Sequence, residues 1–166
     1  LDLPQKSPGV DKYGHMAAAT PPHHHGGFGE YCYILPQSWI LRLPDVLSDA
    51  EAAPINCGVA TMIAVTEAAE IRIGQSVVVQ GLGLLGLYGA AIAKARGAGR
   101  VIGIDGVAER RERSARFGVD VAIDPRGLEP AQLASQVAAL CPPMGADAVL
   151  EVCGDARVIP SGMAML

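Results

Sequence analysis

The sequence predicts an α/β fold built on a parallel sheet, and three observations carry that expectation. From Ala50 onward, short β-branched runs alternate with longer stretches of helical character, each pair separated by glycine or a polar turn. Half of the residues are hydrophobic but only 4% are aromatic, so small aliphatic side chains must fill the interior, as tightly stacked helix and sheet layers require. A glycine-rich turn, Gly81-Leu82-Gly83-Leu84-Leu85-Gly86, joins one β-branched run to the next helical stretch.

Residues 1–53 have a different texture. Prolines are frequent (Pro4, Pro8, Pro21, Pro22, Pro36, Pro44), and apolar runs such as Tyr31–Leu35 alternate with turn signals. Loops and short strands without a long helix are expected there. Ser48-Asp49-Ala50-Glu51 then offers a helix start, with apolar positions recurring through Ala53, Cys57, Ala60, Ile63 and Ala64 and Gly74 closing the region. Val77-Val78-Val79 reads as a strand buried on both faces. A helix follows from about Leu84 to Arg96 and stops at Gly97; Val101–Ile104 is the next strand. The arginine-rich stretch from Glu109 to Arg116 reads as a solvated helix ending at Gly118. Val121–Ile123 is a third strand, Pro130–Leu140 a further helix and Ala146–Val152 a fourth strand. Strands and helices in that alternation make right-handed βαβ units.

The glycine turn has the order of a dinucleotide fingerprint, with a strand before it, a helix after it and an acidic residue, Asp105, ending the next strand. Gly81 permits the tight turn, Gly83 lets backbone approach a pyrophosphate, and Gly86 allows the helix to pack closely on the strand. Leu84 and Leu85 open a helix whose free N–H groups and positive dipole end face the phosphates. The expectation is therefore a Rossmann-type doubly wound sheet. Asp105 would accept hydrogen bonds from a ribose and repel a 2′-phosphate, which favours NAD over NADP. Arg110 and Arg111 pull the other way, since arginines after the second strand pair with a 2′-phosphate. Arg110 is kept among the cofactor-binding candidates, and the plainer alternative makes both part of a solvated helix face.

Other classes are disfavoured. The net charge of −4 with no Lys/Arg-rich run gives nucleic acid or an anionic membrane no electrostatic footprint. The uncharged stretch from Gly74 to Ala93 contains Gln75, Ser76, Gln80 and five glycines, and reads better as strand, turn and helix than as a membrane span. No signal-peptide pattern opens the chain, and Cys32, Cys57, Cys141 and Cys153 show no disulfide spacing, so a reducing cytoplasm is the expected setting. Leu1 at the start and the apolar stretch from Val158 to Leu166 at the end lead to the expectation of a partial chain.

Asn56-Cys57-Gly58-Val59-Ala60-Thr61, followed by Gly74-Gln75-Ser76-Val77-Val78-Val79 and the glycine loop, resembles the zinc-dependent medium-chain alcohol dehydrogenases, as does Gly26-Gly27-Phe28-Gly29-Glu30-Tyr31 upstream. That resemblance implies two domains: residues 1–53 as the β- and loop-rich C-terminal part of a GroES-like catalytic domain, and residues 54–166 as an NAD-binding Rossmann domain. The latter would be truncated, with four of the family's six strands. It implies that Cys57 is a ligand of a catalytic zinc, and that Thr61 and Leu85 lie near the nicotinamide. From its residue type alone, Cys57 would be a small buried hydrophobe. The family's other zinc ligands and its proton relay have no counterpart here, so no catalytic residue is expected within the chain.

Ser7 stands where the structural zinc lobe usually ends in cysteine, which puts that lobe's metal in doubt. His15 is expected to be structural or at the surface, the triple histidine His23-His24-His25 a solvated loop, and Cys32, Cys141 and Cys153 core cysteines. Lys12-Tyr13-Gly14-His15 resembles a subgroup linked to phosphonate breakdown; a threonine- or polyol-dehydrogenase-like substrate fits equally. The implied function is hydride transfer between an alcohol or carbonyl substrate and NAD with catalytic zinc, in a homo-oligomeric parent protein. Two alternatives stay open: a catalytically inactive nucleotide-binding fragment, and a zinc-free NAD(P)H reductase of the same superfamily.

Overall fold

The structure, a computed structural model, describes residues 13–14, 17, 19, 21, 23–36, 38–141 and 143–166. Ser7, Lys12 and His15, and the expectations attached to them, lie outside that set. The chain divides into two compact units, Leu1–Pro44 and Asp45–Leu166.

In the first unit the described residues form neither helix nor strand. Tyr31–Leu35, where a short strand was expected, has no paired neighbour among the described residues. A strand needs a ladder, and this segment's backbone makes isolated bonds instead: Tyr33 N–H to the His24 carbonyl (2.6 Å), and Leu35 N–H to the Tyr13 hydroxyl. Several apolar side chains in this unit are exposed, among them Phe28, Tyr31, Trp39, Ile40 and Leu41. His25 departs from the solvated-loop expectation. It is only 4% exposed, and neither ring nitrogen has a hydrogen-bond partner among the described residues.

The second unit begins with helix α1 (Asp49–Ala52), closed by a capping box in which Ser48 Oγ accepts from Glu51 N–H and the Glu51 carboxylate accepts from Ser48 N–H. The single helix expected from here through Ala64 is interrupted. Pro54 has no N–H to continue the ladder, and its carbonyl accepts from both Gly58 (2.8 Å) and Val59 (3.2 Å). The result is a π-helical turn, Ile55–Val59, before helix α2 (Ala60–Ala68) resumes regular geometry. Cys57 sits inside that turn.

Four strands and their helices follow: β1 (Ser76–Gln80), α3 (Leu84–Ala95), β2 (Arg100–Ile104), α4 (Ala108–Ser114), β3 (Val121–Ile123), α5 (Pro130–Leu140), β4 (Ala148–Glu151) and α6 (Ile159–Met163). All pairings are parallel, in the order β3-β2-β1-β4, with Val78 opposite Ile102 on one side and Val149 on the other. The expected parallel α/β sheet is therefore what forms. The arginine-rich helix is shorter than expected: α4 ends at Ser114 and tightens into a 3₁₀ turn, Ala115–Phe117, before Gly118.

Strand alternation sends neighbouring side chains to opposite faces. Val77, Val79, Val101 and Leu150 meet Met62 of α2 and Ala90 and Ala93 of α3 on one face. Val78, Ile102, Ile104 and Ile123 meet Leu133 and Val137 of α5, with Met165, on the other. Each fully buried valine of β1 contributes about 1.5–3 kcal/mol by leaving water, so β1 is pinned from both faces. Its C-terminal end is consequently a rigid platform for whatever follows it. No described helix is long and apolar enough to cross a membrane.

Candidate nucleotide-binding site

The glycine loop leaves β1 directly, and its three glycines meet different surroundings. Gly81 has φ +93°, and its N–H donates to the Ile104 carbonyl (2.8 Å). A Cβ at Gly81 would lie 2.8–2.9 Å from the Cβ, Cα and N of Cys153. A Cβ at Gly86, in the first turn of α3, would lie 1.8 Å from the Gly81 carbonyl oxygen. The chain itself thus requires both outer glycines. Gly83 is different: its backbone is in an ordinary extended conformation, and a Cβ there would meet no heavy atom within 4 Å. The space above Gly83 is open, and beside it the first-turn N–H groups of Leu84, Leu85 and Gly86 have no partner within the helix.

Asp105 follows β2 and is 8% exposed. One carboxylate oxygen accepts from Leu82 N–H in the glycine loop, the other from Val107 N–H, each at 2.8 Å. The Arg110 guanidinium reaches the same carboxylate at 3.5 Å. Burial pushes the Asp105 carboxyl up, but the two N–H donors and Arg110 outweigh it and hold the group below its ordinary value of 3.8. Arg111 is not a solvated side chain. It donates to the Asp105 backbone carbonyl (2.7 Å) and pairs with Asp124 (2.9 Å). Oδ2 is met by both Leu82 and Arg110, whereas Oδ1, which accepts from Val107, retains a second acceptor position.

Gly81, Asp105 and Arg110 line one cavity of about 210 Å³, together with Gln80, Cys153 and Ser161. The remaining candidates border the loop. A Cβ on Gly58 would meet Leu84 and Leu85 at 3.6 Å each, so the π-helical turn carrying Cys57 packs on the start of α3. Leu84 is 57% exposed, Leu85 is partly buried against the core, and Thr61 is exposed on the first turn of α2.

Cys57 is exposed, not the buried hydrophobe its residue type alone would give. A catalytic zinc takes about three protein ligands, and no group of three His, Cys, Asp or Glu residues able to hold a metal occurs among the described residues. The described residues do not by themselves fit that metal. The larger cavity, about 610 Å³ and lined by His23–His25 and the glycines around them, lies in the first unit.

Two of the supposed core cysteines are exposed, Cys32 and Cys153; only Cys141 is buried, and all four are free. Cys153 follows β4 where the strand leaves the sheet, and the Glu151 carboxylate accepts from its N–H and its thiol. Gln80, Glu151 and Ser161 were not anticipated at this site. Gln80 carried a readable signal, a lone polar residue between three valines and the glycine loop.

The sequence pattern of the zinc-binding dehydrogenase family matches residues 85–166. A probable alcohol dehydrogenase of Mycobacterium tuberculosis is 35% identical over 122 residues, covering 69% of this chain and 32% of its own length. A probable D-xylulose reductase A of Aspergillus clavatus is 33% identical over 155 residues, covering 91% of this chain and 42% of its own. The crystal structure of an alcohol dehydrogenase from Thermotoga maritima superposes with a TM-score of 0.80 at 28% identity, over 91% of this chain and 42% of that one. The chain thus spans about a quarter to two fifths of the length of the curated relatives it matches. With the parallel sheet, the glycine loop and these likenesses together, the chain belongs to the family of zinc-dependent medium-chain alcohol dehydrogenases.

Proposed function

We propose that the whole protein is an oxidoreductase that interconverts an alcohol and its carbonyl counterpart with NAD, and that this chain supplies its nucleotide grip. The observation that carries the reading is the contrast within the loop: Gly81 and Gly86 are locked against backbone, while the backbone at Gly83 opens onto free space beside unpaired helix N–H groups. A pyrophosphate fits such a place, because two negative charges would meet the helix dipole and backbone donors with no side chain between.

When bound, the nicotinamide accepts or returns the hydride. The chain's own residues bind and orient. Leu84 and Leu85 present first-turn N–H groups to phosphate, and Asp105 uses the remaining acceptor position of Oδ1 for a ribose hydroxyl. Leu85 and Thr61 are the nicotinamide-side candidates. Asp105 favours NAD, because a 2′-phosphate would bring negative charge against a nearly buried carboxylate. Arg110 already faces Asp105, and Arg111 is paired with Asp124, so neither is a spare cation for that phosphate.

Cys57 is proposed as one zinc ligand of the whole protein, with the others from parts outside this chain, and residues 1–53 as part of its catalytic domain. The relatives' printed names favour a small alcohol or polyol as substrate. A cytoplasmic homo-oligomer is the corresponding expectation. For the 166-residue chain alone, the same geometry supports nucleotide binding without turnover, since the described residues gather no metal site. The test is fluorescence titration of the chain with NADH and with NADPH. Saturable NADH binding, at least tenfold tighter than NADPH, is the expected result. Equal or tighter NADPH binding overturns the assignment of Asp105, and binding of neither overturns the reading as a whole.

A further inference from the structure

The parallel sheet sets the ends of β2 and β3 side by side, with Asp105 N–H donating to the Ile123 carbonyl (3.2 Å). Asp124, the residue after β3, therefore stands beside the loop that carries Asp105. It does not line the nucleotide cavity, although its neighbour Pro125 does. Two arginines converge on its carboxylate. Arg111 Nη2 lies 2.9 Å from Oδ2, and the same guanidinium donates to the Asp105 carbonyl (2.7 Å). Arg126 makes a forked contact, Nη2 to Oδ2 at 2.6 Å and Nε to Oδ1 at 3.0 Å, and its backbone N–H also donates to Oδ1 at 3.0 Å. The Arg126 hydrogen bonds hold the Asp124 carboxyl well below the usual carboxylate range, so it stays charged.

The two arginines differ in freedom. Arg111 is 18% exposed and tied to two partners, whereas Arg126 is 68% exposed. The Arg126 stem runs 3.6 Å from where a Cβ on Gly106 would sit, and Gly106, next to Asp105, lines the cavity. That stem stands over the backbone just past Asp105, on the side where a phosphate at the ribose 2′ position would project. A guanidinium fork is the side-chain group that matches phosphate with paired N–H donors. We infer that Asp124 is a positioning residue for cofactor choice: by holding the Arg126 fork, it withholds from a 2′-phosphate an exposed guanidinium at the cavity's rim. The inference rests on the nucleotide-binding reading and adds a residue at the end of β3 to the NAD preference carried by Asp105. With Asp124 neutral, Arg110, Arg111 and Arg126 would face the single carboxylate of Asp105. NADH has only a hydroxyl at the 2′ position and gains nothing from a released arginine. The effect therefore falls on the ratio of the two affinities, which a change in folding alone does not move.

The experiment titrates NADH and NADPH by fluorescence against the unaltered chain, Asp124→Asn, and Asp124→Asn combined with Arg126→Ala, with circular dichroism confirming that each is folded. Asparagine removes the charge and keeps an oxygen for the Arg126 N–H. Asp124→Asn is expected to bind NADPH about fivefold more tightly than the unaltered chain does, the worth of one exposed ion pair, with NADH changed by less than about twofold. The double variant is expected to lose that gain. An unchanged ratio in Asp124→Asn overturns the inference while leaving nucleotide binding intact, as does an equal loss of both dinucleotides. A gain that survives removal of Arg126 overturns the role given to that arginine and the inference with it. Should Asp124→Asn not fold, Asp124→Ser, which also keeps an acceptor, is read in the same way. Binding of neither dinucleotide by the unaltered chain overturns the nucleotide reading and this inference together.

Discussion

Replacing Gly86 with alanine sets a methyl group 1.8 Å from the Gly81 carbonyl oxygen and 2.8 Å from its carbon, where ordinary contact begins near 3.4 Å. One side must move by roughly 1.5 Å, a displacement at the steep repulsive wall of the contact potential. Neither side yields easily. Gly81 is tied by its N–H to the Ile104 carbonyl and backed by the Cys153 backbone. Helix α3 carries Ala90 and Ala93 into the core at 0% exposure. Overpacking a well-filled site costs about 1–3 kcal/mol. A backbone-on-backbone clash belongs at the top of that range, so about 3 kcal/mol is expected. Against a stability of about 5–15 kcal/mol, that lowers the melting temperature by about 10 °C, at roughly 3 °C per kcal/mol for a domain of this size. Circular dichroism melts and urea titrations measure it. Gly83→Ala, in the same loop, is the control. Its methyl meets open space, so stability changes by less than about 1 kcal/mol, with cap preference and unfolded-state entropy opposing one another. Its dinucleotide affinity should nonetheless fall more than about tenfold. A Gly86→Ala protein that melts with the parent would refute the close-packing argument.

Asp105 and the cysteines give further tests. Asp105→Ala strands the Leu82 and Val107 N–H groups that it now satisfies, at a cost of about 2 kcal/mol, and lowers the discrimination against NADPH. Because the folded carboxyl lies below 3.8, its contribution is present above that pH and lost as the pH falls through the folded value. The urea midpoint of Asp105→Asn should therefore fall less steeply than the parent's as the pH drops below 3.8; parallel curves would discount the carboxylate. Burial, then the Glu151 carboxylate, push the Cys153 thiol up. Iodoacetamide should label exposed Cys32 and Cys57 before Cys153, with buried Cys141 last, as mass spectrometry will show. Glu151→Gln should speed labelling of Cys153, and no change in that rate would discount the carboxylate's influence.

What the sequence disclosed and what it withheld divide along physical lines. β1, β2 and their connecting helix were legible because a β-branched run, a glycine loop and a glycine stop each have one local meaning. The break at Pro54 was not, although the residue was visible. Whether a proline ends a helix or is absorbed in a π turn depends on what its carbonyl can pair with, here both Gly58 and Val59. Tyr31–Leu35 has strand composition, but pairing is a property of two segments and no paired strand faces it among the described residues. Cys153 and Cys32 were assigned to the core by residue type, which is blind to whether a cysteine lies within a strand or just past its end. The Gln80 amide needed three dimensions altogether, since its fixing groups, Val158 and Ser161, come from a distant part of the chain.

The strand order β3-β2-β1-β4 has a mechanical consequence. From β1 the chain winds outward through β2 to β3, then crosses back through α5 to lay β4 on the opposite flank, so Gly81 and Cys153 are touching neighbours that belong to different arms of the winding. A molecule seated over that seam acts as a clasp. It joins the arms at their open end, where, among the described residues, β4 is held to the sheet by β1 alone. Amide exchange should then slow most along β4 and the turn after it when nucleotide is present, and β2, already gripped on both sides, should change least.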